Sequence, residues 1–248
     1  MLLRSSKRIK CLEHDANVYI LINVHENVPF LYKQLQNIET HFHCKWTLIL
    51  NCNKYMFNQL KDTELSIYCL PWSSEKSRFH GSLLHGIFQS MAYLHKNVSK
   101  FDYVLVLSSR NFFRRVINMY DLRKIEAKQK RMHTLNTKLT RWKGNKFYKL
   151  NTEKENEWWW PYFSKTHFAS KYEFLVGGFH EGLLLNYKTV GFLIHELETQ
   201  YDIFKENLPM EEFVIQTVCR NENLPYAQLS EHDDYVLKEA PIMKVERR

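Results

Sequence analysis

Three apolar runs in the first half of the chain have the length and composition of strands that are buried on both faces. They are residues 17–24 (NVYILINV), 45–50 (KWTLIL) and 101–107 (FDYVLVL), and a shorter run at 66–70 (SIYCL) predicts a further strand. Apolar residues at helical spacing predict two amphipathic helices between them, marked by Phe30, Leu31, Leu35 and Ile38 and by Leu83, Ile87, Met91 and Leu94. This alternation predicts an α/β fold with a mostly parallel, Rossmann-like sheet flanked by helices.

The second half of the chain has a different pattern. Residues 173–185 carry three glycines ahead of an apolar strand, residues 190–197 begin a helix, and Pro209 opens another helix. Glu211 and Glu212 fall in the first turn of that last helix, where acidic side chains also stabilise the helix dipole. No internal repeat interrupts the 248 residues, and only 7 Gly and 6 Pro are spread through them. We therefore expect one domain over residues 1–248.

Polar residues follow the predicted strands at 25–27, 51–53 and 108–111. The carboxyl ends of parallel strands meet at one edge of a sheet, and ligands of open α/β sheets bind beyond that edge. We therefore predict a nucleotide site formed by His25, Asn51, Ser108, Ser109, Arg110 and Asn111. Neither G-x-G-x-x-G nor G-x-x-x-x-G-K-S/T occurs, which argues against a dinucleotide enzyme and against a P-loop nucleotide-binding protein.

Charge and cysteine content narrow the possible partners and compartment. The formal net charge of +8 favours an anionic partner such as nucleic acid, an acidic membrane surface or a sugar nucleotide diphosphate. Five cysteines without a C-x-x-C pair argue against a disulfide framework and a zinc ribbon. The first residues lack the apolar segment of a signal peptide, and no apolar stretch approaches 18 residues. We therefore expect a soluble, cytoplasmic protein without a transmembrane segment.

Three stretches of the chain carry a family resemblance. Residues 19–53 give an opening strand, helix and strand, residues 101–114 give an apolar strand followed by Ser-Ser-Arg-Asn, and residues 177–217 include the segment Pro-Met-Glu-Glu-Phe at 209–213. Together they resemble the core-2/I-branching N-acetylglucosaminyltransferases and the related peptide O-xylosyltransferases, as a cytoplasmic or virus-encoded relative. The resemblance implies a GT-A-like fold with a nucleotide-binding half at 1–115 and an acceptor-binding and catalytic half at 140–248.

The resemblance also implies roles for particular residues. Glu212 stands at the general base, which takes the proton of the acceptor hydroxyl, and Glu211 is the alternative. Asn51 stands where the family commonly has an Asp that contacts the nucleoside. The family neutralises the leaving diphosphate with late basic residues, for which this chain offers Lys238, Lys244 and Arg247.

The sequence itself supports a mechanism without metal. Many nucleotide-sugar transferases bind Mg²⁺ or Mn²⁺ through an Asp-x-Asp motif, and none occurs here. Lys or Arg can stabilise the diphosphate instead through charge-assisted hydrogen bonds, so we expect neither a metal nor another cofactor. Aromatic planes suit the C–H faces of sugars, and polar groups can bind their hydroxyls, so the acceptor-binding candidates are Trp158, Trp159, Trp160, His180 and Glu181.

These observations predict an inverting, metal-independent glycosyltransferase. It would move a sugar, xylose or else N-acetylglucosamine with a preference for xylose, from a UDP-sugar to a hydroxyl of an oligosaccharide or glycoprotein. Two alternatives from other classes are a basic nucleic-acid-binding protein and a sugar-binding module without catalysis. The transferase hypothesis explains the polar ends of the strands and the Pro-Met-Glu-Glu-Phe segment, and it requires no nucleic-acid partner.

Overall fold

The computed structural model describes residues 17–24, 27–70, 80–109, 111–135, 162–172, 175–177, 180–229 and 236–237. The main sheet has five strands: β1 (Val18–Val24), β2 (Trp46–Cys52), β3 (Tyr103–Ser108), β5 (Leu183–Asn186) and β6 (Tyr226–Gln228). Their spatial order is β2-β1-β3-β5-β6. A second sheet pairs β4 (Phe112–Phe113) with β7 (Val236–Leu237) in antiparallel fashion.

Seven α-helices lie in the described ranges: α1 (Val28–His41), α2 (Lys54–Leu60), α3 (Ser82–Asn97), α4 (Met119–Leu135), α5 (His167–Ser170), α6 (Tyr187–Glu198) and α7 (Val214–Asn221). Three 3₁₀ turns cover Glu64–Tyr68, Tyr201–Lys205 and Met210–Glu212. None of the helices in these ranges is long and apolar enough to cross a membrane. The predicted α/β class is therefore confirmed.

The direction of the strands agrees only in part with the predicted sheet. β1 pairs in parallel with both β2 and β3, as the sequence predicts. β5 pairs antiparallel with β3, and β6 pairs antiparallel with β5. The sheet is consequently mixed, with the reversed β5 between two strands that run the same way.

The prediction of a strand at 66–70 is wrong. Glu64–Tyr68 forms a 3₁₀ turn, and Cys69 makes only an isolated bridge, to Leu50 on β2. Local hydrogen bonds explain the difference: Leu65 N donates to Thr63 Oγ1 at 3.2 Å, and Ser66 Oγ donates to the Thr63 carbonyl at 2.7 Å. Such side-chain bonds to the nearby backbone compete with a sheet ladder.

The core is divided into two layers by the sheet. Every residue of β1 is buried, and its successive side chains point to opposite faces, as the pleat of a strand requires. Tyr19 and Leu21 pack in the layer that contains residues of α3, α6 and α7, whereas Ile20 and Ile22 pack in the layer of α1, α2 and α4. The helices on both faces leave the two ends of the strands as places where a ligand could approach the sheet.

Candidate functional site

The three parallel strands end in a row of polar residues. In the register of the sheet, Asn23 on β1 lies opposite Asn51 on β2 and Ser108 on β3. These three residues define what is called the carboxyl edge below. Ligands of open α/β sheets bind beyond this edge, and the nucleotide site at the strand ends stays a prediction.

The reversed strand β5 brings a second chain segment to the carboxyl edge. Gly182 N donates to the Val106 carbonyl of β3 at 2.8 Å, and His180 and Glu181 come directly before Gly182. The φ angle of Gly182 is 80°, a left-handed conformation that favours glycine. Since β5 starts where β3 ends, both predicted acceptor residues, His180 and Glu181, lie beside the end of β3.

Asn51 lies beneath helix α3 rather than at an open surface. Its side chain is fully buried, and Nδ2 donates to the Gly86 carbonyl and to Gln89 Oε1, both at 3.2 Å. Asn23 Nδ2 likewise donates to the Leu83 carbonyl of α3, at 2.8 Å. The two asparagines therefore attach α3 to the sheet. The sequence analysis selected Asn51 and missed Asn23, whose polar side chain within the apolar run 17–24 was the available signal.

The segment that follows β3 is a closed turn. Ser108 N donates to Asn111 Oδ1 at 2.6 Å, and Asn111 N donates to the Ser108 carbonyl at 3.2 Å. Gln34 of α1 adds two bonds, from Nε2 to the Ser108 carbonyl at 2.7 Å and to the Asn111 carbonyl at 3.0 Å. Ser109 and Asn111 are buried, whereas Ser108 is partly exposed. Of these predicted nucleotide contacts, Ser108 thus has the most accessible side chain.

Glu211 is the acid whose environment is most unusual. It lies in the 3₁₀ turn Met210–Glu212 with only 3% of its surface exposed, and its Oε2 atom has no hydrogen-bond partner among the described residues. Burial raises the pKa of this carboxyl well above the ordinary 4.5, the charges of Glu212 and Glu181 raise it further, and a backbone hydrogen bond opposes the shift. Glu211 therefore keeps its proton at a higher pH than an ordinary glutamate does.

Two adjacent glutamates thus have different environments. Glu212, the predicted base, is half-buried, in contrast to the buried Glu211. The charge of Glu181, which lies just before β5, also raises the pKa of Glu211. Neighbouring acids whose environments differ in this way are a common arrangement in acid–base catalysis.

His180 and Glu181 add further buried polar atoms. His180 Nδ1 lies 3.7 Å from Glu181 Oε2, and the side chains are 11% and 19% exposed. Within the described part of the chain neither atom has a hydrogen-bond partner, as is also true of Glu211 Oε2. Buried polar atoms without partners are rare in folded proteins and call for an explanation. A role in catalysis or in ligand binding is one such explanation.

Hydrogen bonds attach the backbone of Val176 to α7. Thr217 Oγ1 accepts a hydrogen bond from Val176 N at 2.9 Å and donates one to the Val176 carbonyl at 3.1 Å. Val176 lies four residues before His180 in the chain, and these bonds attach it to α7. Phe213 follows the 3₁₀ turn Met210–Glu212, and its ring stacks on Phe163 with centroids 4.4 Å apart.

Several predicted residues lie outside the described part of the chain, namely His25, Arg110, Trp158, Trp159, Trp160, Lys238, Lys244 and Arg247. One described neighbour bears on Lys238. Leu237, which precedes it, pairs with Phe112, and Phe112 follows Asn111 directly. The end of β7 therefore lies beside the turn that closes β3. Among the described residues, no group of three His, Cys, Asp or Glu side chains is arranged to hold a metal ion.

Comparison with known proteins adds no relative. The chain matches no protein-family model, and no curated protein matches it at a significant level.

Proposed function

We propose that this chain is an inverting, metal-independent glycosyltransferase that moves a sugar from a UDP-sugar to a hydroxyl group of a glycan. The observation that carries the proposal is the meeting of two sets of residues at one side of the sheet. Ser108 at the end of β3 is partly exposed, and ligands of open α/β sheets bind beyond such strand ends. Glu181 directly precedes Gly182, whose N–H donates to the Val106 carbonyl of β3, and the charges of Glu181 and Glu212 both raise the pKa of Glu211.

The proposed reaction is a single displacement. A carboxylate takes the proton of the acceptor hydroxyl while its oxygen attacks the anomeric carbon of the donor sugar. The bond between that carbon and the diphosphate oxygen breaks, UDP leaves with the electron pair, and the configuration at the carbon inverts. A general base of this kind contributes roughly 10²–10⁴-fold to the rate.

Glu212 is the proposed base. A base must reach the acceptor hydroxyl, and half-buried Glu212 is more accessible than Glu211, which is 3% exposed. The raised pKa of Glu211 favours its protonated form, in which it can donate a hydrogen bond but cannot remove a proton. This physical argument selects the same residue as the family resemblance, with Glu211 as the alternative.

Basic side chains are proposed to stabilise the leaving diphosphate. The absence of Asp-x-Asp from the sequence motivates a mechanism in which Lys or Arg supplies the positive charge. Lys238 is the first candidate, because Leu237 pairs with Phe112 beside the turn at Ser108–Asn111. Lys244 and Arg247 are the other candidates.

The remaining assignments follow the family resemblance. Xylose is the preferred donor sugar and N-acetylglucosamine the second choice. The nucleotide-binding half at 1–115, the acceptor half at 140–248 and the GT-A-like fold stay predictions. For the acceptor we propose contacts with His180 and Glu181 at the start of β5, together with Trp158, Trp159 and Trp160.

The test is a panel of UDP-sugars incubated with the purified chain, mixed glycan acceptors and excess EDTA, with release of UDP as the measurement. We expect UDP to form from one donor, and to form as fast with EDTA as without it. A need for added Mn²⁺ would contradict the metal-free mechanism. No release from any donor, combined with retention of a nucleic acid or a sugar, would favour the nucleic-acid-binding protein or the sugar-binding module.

A further inference from the structure

Two cysteines lie close together at the end of β2. Cys52 is the last residue of β2, and Cys69 follows the 3₁₀ turn Glu64–Tyr68. Their Sγ atoms are 3.8 Å apart and share a hydrogen bond. The backbone fixes this approach, because Leu70 N donates to the Leu50 carbonyl at 2.9 Å and Leu50 bridges to Cys69.

The two thiols differ in exposure and in acidity. Cys52 is 1% exposed, whereas Cys69 is partly exposed and can meet a small reagent from solvent. The hydrogen bond from Cys52 lowers the pKa of the Cys69 thiol, and burial acts in the opposite direction. In contrast, burial and Asp121 raise the pKa of Cys44 to about 12, and burial raises that of Cys219. Thiolate character and exposure favour oxidation, so we expect partly exposed Cys69 to react before these other cysteines.

We propose that Cys52 and Cys69 form an oxidation site at which a hydroperoxide produces an intramolecular disulfide. This inference is independent of the proposed transferase activity. A disulfide bond requires the sulfur atoms to move from 3.8 Å to about 2.05 Å.

The reaction proceeds in two balanced steps. The Cys69 thiolate attacks the terminal oxygen of hydrogen peroxide, the O–O bond breaks, and hydroxide leaves, which gives a sulfenic acid on Cys69. The Cys52 sulfur then attacks the Cys69 sulfur, the S–O bond breaks, and the oxygen leaves as water. In total the two thiols lose two electrons and two protons, and one peroxide becomes two molecules of water.

The position of this bond gives it a structural effect. Cys52 follows Asn51, which attaches α3 to the sheet through Gly86 and Gln89. The disulfide would therefore join the end of β2 covalently to the segment that leads to Leu70, next to the carboxyl edge. A thiol reductant would reverse it by exchange.

The test uses the full chain, first reduced and then treated with hydrogen peroxide under native conditions. Intact mass and a non-reducing peptide map are the measurements. We expect the loss of two hydrogen atoms and one linked peptide pair that contains Cys52 and Cys69. Cys44→Ser is the matched control and should form the same link. In Cys52→Ser the sulfenic acid on Cys69 should persist and be trapped by dimedone.

Two results would overturn the proposal. One is a wild-type map in which Cys52 and Cys69 both remain thiols after other cysteines have oxidised. The other is a link between either residue and a different cysteine, within the chain or between chains. The map of the wild-type protein decides the question even if a serine variant fails to fold, because it needs no substitution.

Discussion

Replacement of Glu211 by Gln removes a carboxyl that is 3% exposed and whose pKa is raised by burial. Below pH 4.5, the ordinary value, both the folded and the unfolded chain carry the proton, and the carboxyl has no pH-dependent effect on stability. As the pH rises, the unfolded chain releases the proton while the folded chain keeps it. Stability is therefore lost with rising pH until the pH reaches the pKa of the folded state.

The magnitude follows from proton linkage. A difference of one bound proton between the folded and unfolded states changes the free energy of unfolding by about 1.4 kcal/mol per pH unit. Because the amide side chain of the variant cannot ionise, the variant lacks this loss. We expect the stability of Glu211→Gln minus that of the wild type to rise with about this slope from near pH 4.5 and to level off at the folded-state pKa.

Urea unfolding at pH values between about 4.5 and 8 measures this difference, with the m-value checked at each pH. Glu198→Gln, which removes an exposed carboxyl on α6, is the matched control for the loss of one charge. The test is how the difference in unfolding free energy changes with pH. The absolute difference is not used, because it also includes the hydrogen bonds of the new amide. Equal slopes for the wild type and Glu211→Gln would refute the assignment of a raised pKa to Glu211.

Other substitutions test the packing around the site. Gly81→Ala should destabilise the protein by about 1–3 kcal/mol, because a Cβ there would collide with the Ile203 carbonyl oxygen. Gly191→Ala should have a smaller effect, since its Cβ would meet side-chain atoms of His95, the nearest at 3.1 Å. Thermal unfolding of both variants measures the two effects. Equal losses of stability in the two variants would contradict the collision at Gly81. Asn51→Asp should lose about 1–3 kcal/mol because a carboxylate cannot donate to the Gly86 carbonyl, and an unchanged urea midpoint would contradict that role.

The apolar runs predicted the strands well because burial on both faces leaves a continuous signal in the sequence. Residues 17–24 and 45–50 correspond to β1 and β2, which extend to Val24 and Cys52. The run at 66–70 has similar residues, but hydrogen bonds of Thr63 and Ser66 with the nearby backbone produce a 3₁₀ turn instead. Composition alone does not distinguish a strand from a 3₁₀ turn.

The direction of β5 could not be predicted from its own residues. Leu183–Asn186 is apolar in either orientation, and the pairing with β3 depends on how the preceding chain reaches the sheet. This direction brings Glu181 to the carboxyl edge. Sequence analysis selected Glu181 as a polar group that can bind sugar hydroxyls, and the effect of its charge on Glu211 appeared only in the fold.

The burial of individual polar residues could not be predicted from the sequence either. Asn51 follows a strand in the sequence, which predicts an exposed end, but α3 covers it and takes its hydrogen bonds. Glu211 and Glu212 are equivalent acids at a predicted helix start. In the structure a 3₁₀ turn precedes α7 and buries Glu211 more deeply than Glu212. The distinction between them depends on tertiary packing.

Turnover of a UDP-sugar by the wild type, Glu212→Gln and Glu211→Gln tests the central claim most directly. The account predicts that Glu212→Gln lowers kcat by about 10²-fold or more with little change in the KM for the donor, because the carboxylate acts on the acceptor. It predicts that Glu211→Gln loses much less activity than Glu212→Gln, because Glu211 is only 3% exposed whereas Glu212 is half-buried. A fully active Glu212→Gln would contradict the account, and loss of activity in Glu211→Gln alone would move the base to Glu211.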